Sequence, residues 1–191
     1  MEKYLKLSIL DKKRRELLPL LKKFKDKFYL AGGTALALQL GHRRSDDFDF
    51  FTFEHLEIEN LQKKTDLIFG KSSLSIIQLE KDTLSIIVNE DIKISFFDIQ
   101  QEILLPVQEN EWFNICSKLE IGAMEIAALL RAAYRDYVDL FFLLKEYNLE
   151  EIFKLCEKKY SGFEKSVYRG CPKSKKVSFR GSSRPRNLFK T

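Results

Sequence analysis

The stretch that most constrains this chain is FYLAGGTALALQLG, residues 28 to 41, where an apolar run breaks at two consecutive glycines and resumes as a helix-forming series closed by another glycine. The residues before Gly32 suit a short strand. Gly32 and Gly33 let the backbone turn, Thr34 can cap the helix that follows, and Gly41 ends it. A strand that passes through a glycine turn straight into a helix points to layers of sheet and helix. DFDFFTF, residues 47 to 53, then alternates as a strand, with Asp47, Asp49 and Phe51 on one face and Phe48 and Phe50 on the other.

Ahead of this unit, Leu17, Leu18, Leu20, Leu21, Phe24 and Phe28 recur at three- and four-residue steps, which predicts an amphipathic helix from Asp11 to Lys27. Behind it, Ser73–Glu80, Thr83–Asn89 and Asp91–Ile99 are rich in β-branched and aromatic residues and read as strands. Short polar breaks at Lys81–Asp82 and Glu90–Asp91 predict consecutive hairpins, hence antiparallel pairing within a mixed sheet. Past Pro106 the period turns helical over Leu119–Arg131, Tyr134–Tyr147 and Leu149–Tyr160. The expected organisation is an α/β (α+β) module over residues 1–110, a helical segment over 111–164 and a tail over 165–191.

With 45% apolar and 32% charged residues, the 191-residue chain has material for one compact core and falls outside the disordered and collagen-like classes. Its net charge of +5 is unevenly placed. Residues 165–191 hold nine basic residues and no acidic one, while the rest of the chain carries a net −4. That tail has no apolar period and is expected to be poorly ordered. No apolar run reaches the roughly 18 residues of a membrane span, the N-terminus lacks a signal-peptide core, and three scattered cysteines without a CxxC pair fit a reducing compartment. The expectation is a cytoplasmic protein without a membrane partner.

Asp47 and Asp49 project from one side of a strand with Cα atoms about 6.6 Å apart. Asp98 ends the apolar face of Ile92, Ile94 and Phe96, an unusual place for an acid. Three clustered carboxylates suit Mg²⁺, which in turn suits phosphates. The competing reading makes Asp46, Asp47 and Asp49 a solvated turn and Asp98 an edge charge. Gly32 and Gly33 would expose N–H groups at a helix start, a natural anion site. His42, just past Gly41, reads as a partner for the helix C-terminal dipole, with its role left open. Arg131, Arg135 and Asp139 stand at four-residue steps, which an exposed ion-pair column would explain.

Together, AGGTALALQLGHRRSDDFDFF resembles the nucleotidyltransferase signature, and the chain is similar to the AbiEii/AbiGii toxin family of bacterial abortive-infection and toxin–antitoxin systems. The likeness extends to FFDI around Asp98 and to AMEIAALLRAAYRDYVDLFFLL, covering about residues 10 to 160. It implies a nucleotidyltransferase fold with flanking helices and a short C-terminal helical segment. The implied activity is Mg²⁺-dependent transfer of a nucleoside monophosphate from an NTP to an RNA (tRNA) or protein acceptor, restrained by a cognate antitoxin. Carried over, Asp47 and Asp49 would hold metal with Asp98, which would also activate the acceptor hydroxyl. Gly32, Gly33, Thr34, Arg43, Arg44 and Ser45 would hold phosphate oxygens, and Glu125, Arg131, Arg135, Asp136 and Asp139 would complete the nucleotide site. Where the family usually carries lysine, this chain has Glu125, and its tail replaces the family's further helices. A non-catalytic NTP- or RNA-binding relic of the same fold is therefore the alternative function.

Overall fold

The structure is a computed structural model and describes residues 5–52, 54–98, 102–129, 133–160 and 163. Asp11 caps the first helix, α1 (Lys12–Leu21), by accepting from the Arg14 backbone N–H. A 3₁₀ turn, Lys22–Phe24, then leads into strand β1 (Tyr29–Ala31). Helix α2 (Gly32–Leu40) follows without a linker, because Gly32 takes φ +68° and turns the chain in a single residue. Thr34 therefore lies inside the first turn and caps nothing; its buried hydroxyl donates to the Asp47 carbonyl and meets Ser45 Oγ at 2.6 Å, which pins the approach to the next strand. Strand β2 (Phe48–Thr52) and helix α3 (Ile58–Phe69) come next.

Strands β3 (Leu74–Glu80), β4 (Thr83–Val88) and β5 (Ile92–Asp98) form the expected antiparallel hairpins. The second hairpin turns one residue earlier than the Glu90–Asp91 break suggests, at Asn89 (φ 51°) and Glu90 (φ 63°), the pair of positive φ angles of a primed turn. Strand β6 (Asn114–Ile115) and helices α4 (Lys118–Ala128), α5 (Tyr134–Leu143) and α6 (Leu149–Lys159) complete the described chain. The sheet runs β3-β4-β5-β2-β1-β6 and is mixed, with β2–β5 and β1–β6 parallel and the other pairs antiparallel. Among the described residues no helix is long and apolar enough to cross a membrane.

The two faces of the central strands differ. Phe50 and Phe96 are buried and stacked, and Phe24, Phe28 and Phe69 gather around them in an aromatic core. A second apolar cluster joins α4, α5 and α6 through Ile126, Leu140, Ile152 and Phe153. Between that helical layer and the opposite face of β2 and β5, a cleft stays open. The tail from residue 164 onward lies outside the described residues, as does Arg131.

Candidate active site

The cleft has a volume of about 670 Å³. Its floor follows from strand register. On the cleft face of β2 stand Asp49 and Phe51, with Asp47 just ahead of the strand; paired with them on β5 are Ser95 beside Asp49 and Phe97 beside Phe51. Continuing that register by one residue places Lys93 beside Asp47. One end is the start of α2, where the Gly32 Cα faces the Asp49 carboxylate: a Cβ there would stand 3.5 Å from Asp49 Oδ2. Met124, Glu125, Ala127 and Ala128 of α4, Arg135, Asp136 and Asp139 of α5, and Tyr160 face the floor from the helical layer.

Asp98 is not in this cleft, which corrects the expectation of three converging carboxylates. Its partner across the sheet is Thr52, so it lies on the face of Ile94 and Phe96, opposite to Asp49. There its side chain is 5% exposed, accepts from the Leu56 backbone N–H at 3.3 Å and lies 3.2 Å from His55 Nδ1. The β5 position that shares a face and a rung with Asp49 is Ser95, which is buried and bonded to Ser85. Among the described residues no group of three or more acidic, histidine or cysteine side chains is gathered closely enough to hold a metal ion by itself.

Arg43 also differs from the expected free phosphate clamp. Its Nε and Nη2 reach Asp139 Oδ1 and Oδ2, each at 2.6 Å, in a two-pronged pair, while Nη1 donates to Ser45 Oγ at 3.2 Å. His42 Nε2 lies 2.5 Å from the same Asp139 oxygen, so the residue read as a helix-dipole partner instead joins a buried cluster. Burial alone would raise the Asp139 pKa, but the bonds from Arg43 and His42 outweigh it and hold the carboxyl below its ordinary value. Asp139 thus ties α5 to the loop after α2 and forms no exposed column with Arg135. Gly33 is where this tie passes the backbone: a Cβ would collide with Arg43 Nη2 and lie 3.2 Å from Asp139 Oδ2.

Arg44 is exposed and absent from the lining, whereas Gly32, Gly33, Thr34, Arg43, Ser45, Glu125, Arg135, Asp136 and Asp139 all belong to it. Sequence reasoning missed Lys93, Phe97 and Tyr160 as cleft residues; Lys93 and Phe97 could have been found by continuing the two-residue period of β5 across from Asp47 and Phe51. Burial pushes the Tyr160 phenol upward, so it enters the cleft protonated. Cys116 and Cys156 are buried, and burial raises both thiols to about 12, which removes them as nucleophiles at neutral pH.

The oxygen-only donors Asp47 and Asp49 fit Mg²⁺, an ion that characteristically takes one or two carboxylates and completes its shell with water and substrate phosphates. The N–H groups at the start of α2 add an anion site next to them.

Comparison with known proteins gives the family and the fold. The profile of the AbiEii family, described as a nucleotidyl transferase toxin of type IV toxin–antitoxin systems, matches residues 20–181. An uncharacterised Aquifex aeolicus protein is 36% identical over 147 residues, covering 73% of this chain and 69% of its own length. Among solved structures, the antibiotic-resistance factor ANT(2'')-Ia superposes with a TM-score of 0.58 at 11% identity, covering 78% of this chain and 92% of its own. JHP933 from Helicobacter pylori gives a TM-score of 0.53 at 23% identity, covering 76% and 72%. Megavirus polyadenylate synthase gives 0.54 at 16% identity, covering 74% of this chain and 34% of its own. These likenesses establish a nucleotidyltransferase fold.

Proposed function

The chain belongs to the AbiEii nucleotidyl transferase toxin family, and from that premise we propose that it transfers a nucleoside monophosphate from an NTP to an RNA, such as tRNA, or to a protein acceptor, with Mg²⁺ held by Asp47 and Asp49. The observation that carries this reading is the meeting of those two acids with the Gly32–Gly33 helix start in one cleft. Bound there, Mg²⁺ would neutralise the triphosphate and stabilise the attacking and leaving oxygens. The N–H groups at the start of α2 orient phosphate oxygens. Lys93 and Arg135 line the cleft without an ion-pair partner among the described residues and supply positive charge that Arg43, committed to Asp139, does not. Phosphoryl transfer through a loose transition state asks more for positioning than for proton abstraction, so the placement of Asp98 on the other face does not remove the reaction.

As a toxin the protein would modify an acceptor in its own cell and be countered by a cognate antitoxin. The test combines purified protein, Mg²⁺, total RNA or cell protein, and each of the four α-labelled NTPs. Label should pass to one acceptor class with at least one NTP and be lost in Asp49→Ala. Nucleotide binding without transfer from any NTP would favour the second reading, a non-catalytic binding protein, to which Glu125 in the cleft lends support because its charge opposes the triphosphate.

A further inference from the structure

The cleft floor is graded, and the grading matches the two ends of a nucleotide. Three rungs succeed one another along β2 and β5: Asp47 with Lys93, Asp49 with Ser95, then Phe51 with Phe97. Successive rungs on one face are about 6.6 Å apart. The first two are charged or hydroxylic. The third is aromatic, with the rings stacked at a centroid separation of 5.1 Å and an interplanar angle of 28°. Tyr29 extends this rung on β1, 5.9 Å from Phe51.

Phe51 packs against the core, yet Phe51 and Phe97 both border the cavity. Phe48, Phe50 and Phe96 on the opposite face are at most 1% exposed, whereas Phe51 and Phe97 are only partly buried and line the open cleft. Met124, Ala127 and Ala128 add apolar lining from the helical layer, the alanines with little bulk and Met124 with an adaptable side chain. A flat, weakly polar group attached to a polyanion fits both ends of such a cleft at once.

We propose that the Phe51–Phe97 rung binds the nucleobase of the NTP by stacking, with the phosphates over Asp47 and Asp49. This rests on the nucleotidyltransferase reading above and adds to it the place of the base. Stacking on an aromatic face is tolerant of base identity, because every base has a π-face, and is worth about 1–3 kcal/mol per base, or roughly fivefold to a hundredfold in affinity.

The test compares binding of each Mg²⁺–NTP with binding of Mg²⁺–tripolyphosphate by titration calorimetry, without acceptor. Wild-type protein should bind the preferred NTP roughly fivefold to a hundredfold more tightly than tripolyphosphate. Phe97→Leu keeps apolar bulk but loses the flat face; it should erase most of that advantage while leaving tripolyphosphate affinity and the thermal midpoint near wild type. Phe97→Tyr should retain the advantage. An advantage that survives in Phe97→Leu overturns the proposal, and assigns the aromatic rung to the acceptor if Phe97→Leu instead raises the KM for RNA. Failure of tripolyphosphate to bind the wild-type protein would overturn the phosphate site itself, and so the parent reading, by a readout that does not involve the base.

Discussion

Asp139 shows how one residue can set the electrostatics of the cleft through its partners. Its carboxylate takes both prongs of Arg43 and the His42 ring while almost fully buried, and its pKa is lowered as a result. A carboxyl depressed in the folded state stabilises the protein above its unfolded pKa, about 3.9, and that contribution is lost as pH falls through the folded value. Asp139→Ala leaves the largely buried Arg43 guanidinium without its partner and should cost about 3–5 kcal/mol at pH 7. In urea melts the gap between wild type and Asp139→Ala should narrow as the pH is lowered from 5 to 3; a constant gap would remove the ion pair as its cause. Glu125 lines the cleft and, on the proposed reading, would act on a bound NTP more directly. At an effective dielectric of 20, unit charges about 10 Å apart interact by about 1.7 kcal/mol, so Glu125→Gln should tighten NTP binding by roughly an order of magnitude. Equal affinity in both proteins would show that solvent screens this carboxylate from the phosphates. The acids at 47 and 49 were legible because alternation within one strand fixes their common side. The period of β5 already put Asp98 on the face of Ile92, Ile94 and Phe96, but that this face lies opposite to Asp49 depends on the register Thr52↔Asp98 between strands far apart in the chain, which no local pattern encodes. His42 was equally hidden, because its partner lies 97 positions away.

At the scale of elements, the strands flanking the glycine turn, the hairpins and the last three helices follow the sequence closely because each has a clear period. Helix α3 was missed although Ile58, Leu61, Thr65 and Ile68 recur at three- and four-residue steps toward the core, an amphipathic stripe the reading passed over. Strand β6, two residues long, carries no period at all. Helix α6 is joined to the molecule by a buried ion pair. Lys159 Nζ lies 2.6 Å from Glu120 Oε1 on α4 and donates to the Glu102 carbonyl at 2.7 Å, with side chains 1% and 0% exposed. Glu120 also accepts from the Leu104 and Leu105 N–H groups at 3.4 and 3.2 Å, so one carboxylate fastens α4, α6 and the segment between sheet and helices. Lys159→Met should destabilise by about 3–5 kcal/mol in denaturant melts, because it strands a buried charge. Adding Glu120→Gln should recover part of that loss, and a double variant as unstable as the sum of the singles would show that the two groups do not act as a pair.

For the whole molecule, the cleft lining holds five carboxylates, Asp47, Asp49, Glu125, Asp136 and Asp139, against Arg43, Lys93 and Arg135. Such a site has little to hold a lone divalent ion tightly and repels a lone triphosphate, so metal and nucleotide should enter together. In thermal melts, Mg²⁺ alone and NTP with chelator should each leave the midpoint nearly unchanged. Both at about 100 times Kd should add about 2.7 kcal/mol, or about 5–10 °C for a chain of this size. A full shift with Mg²⁺ alone would contradict the two-carboxylate site. The cleft also has a history in each copy of the protein. Its floor comes from residues 29–97 and its facing wall from residues 124–160. A nascent chain whose α4 and α5 have not yet emerged carries both acids but not the wall that faces them, so on the proposed reading synthesis would hold back the first transfer until that wall has left the ribosome.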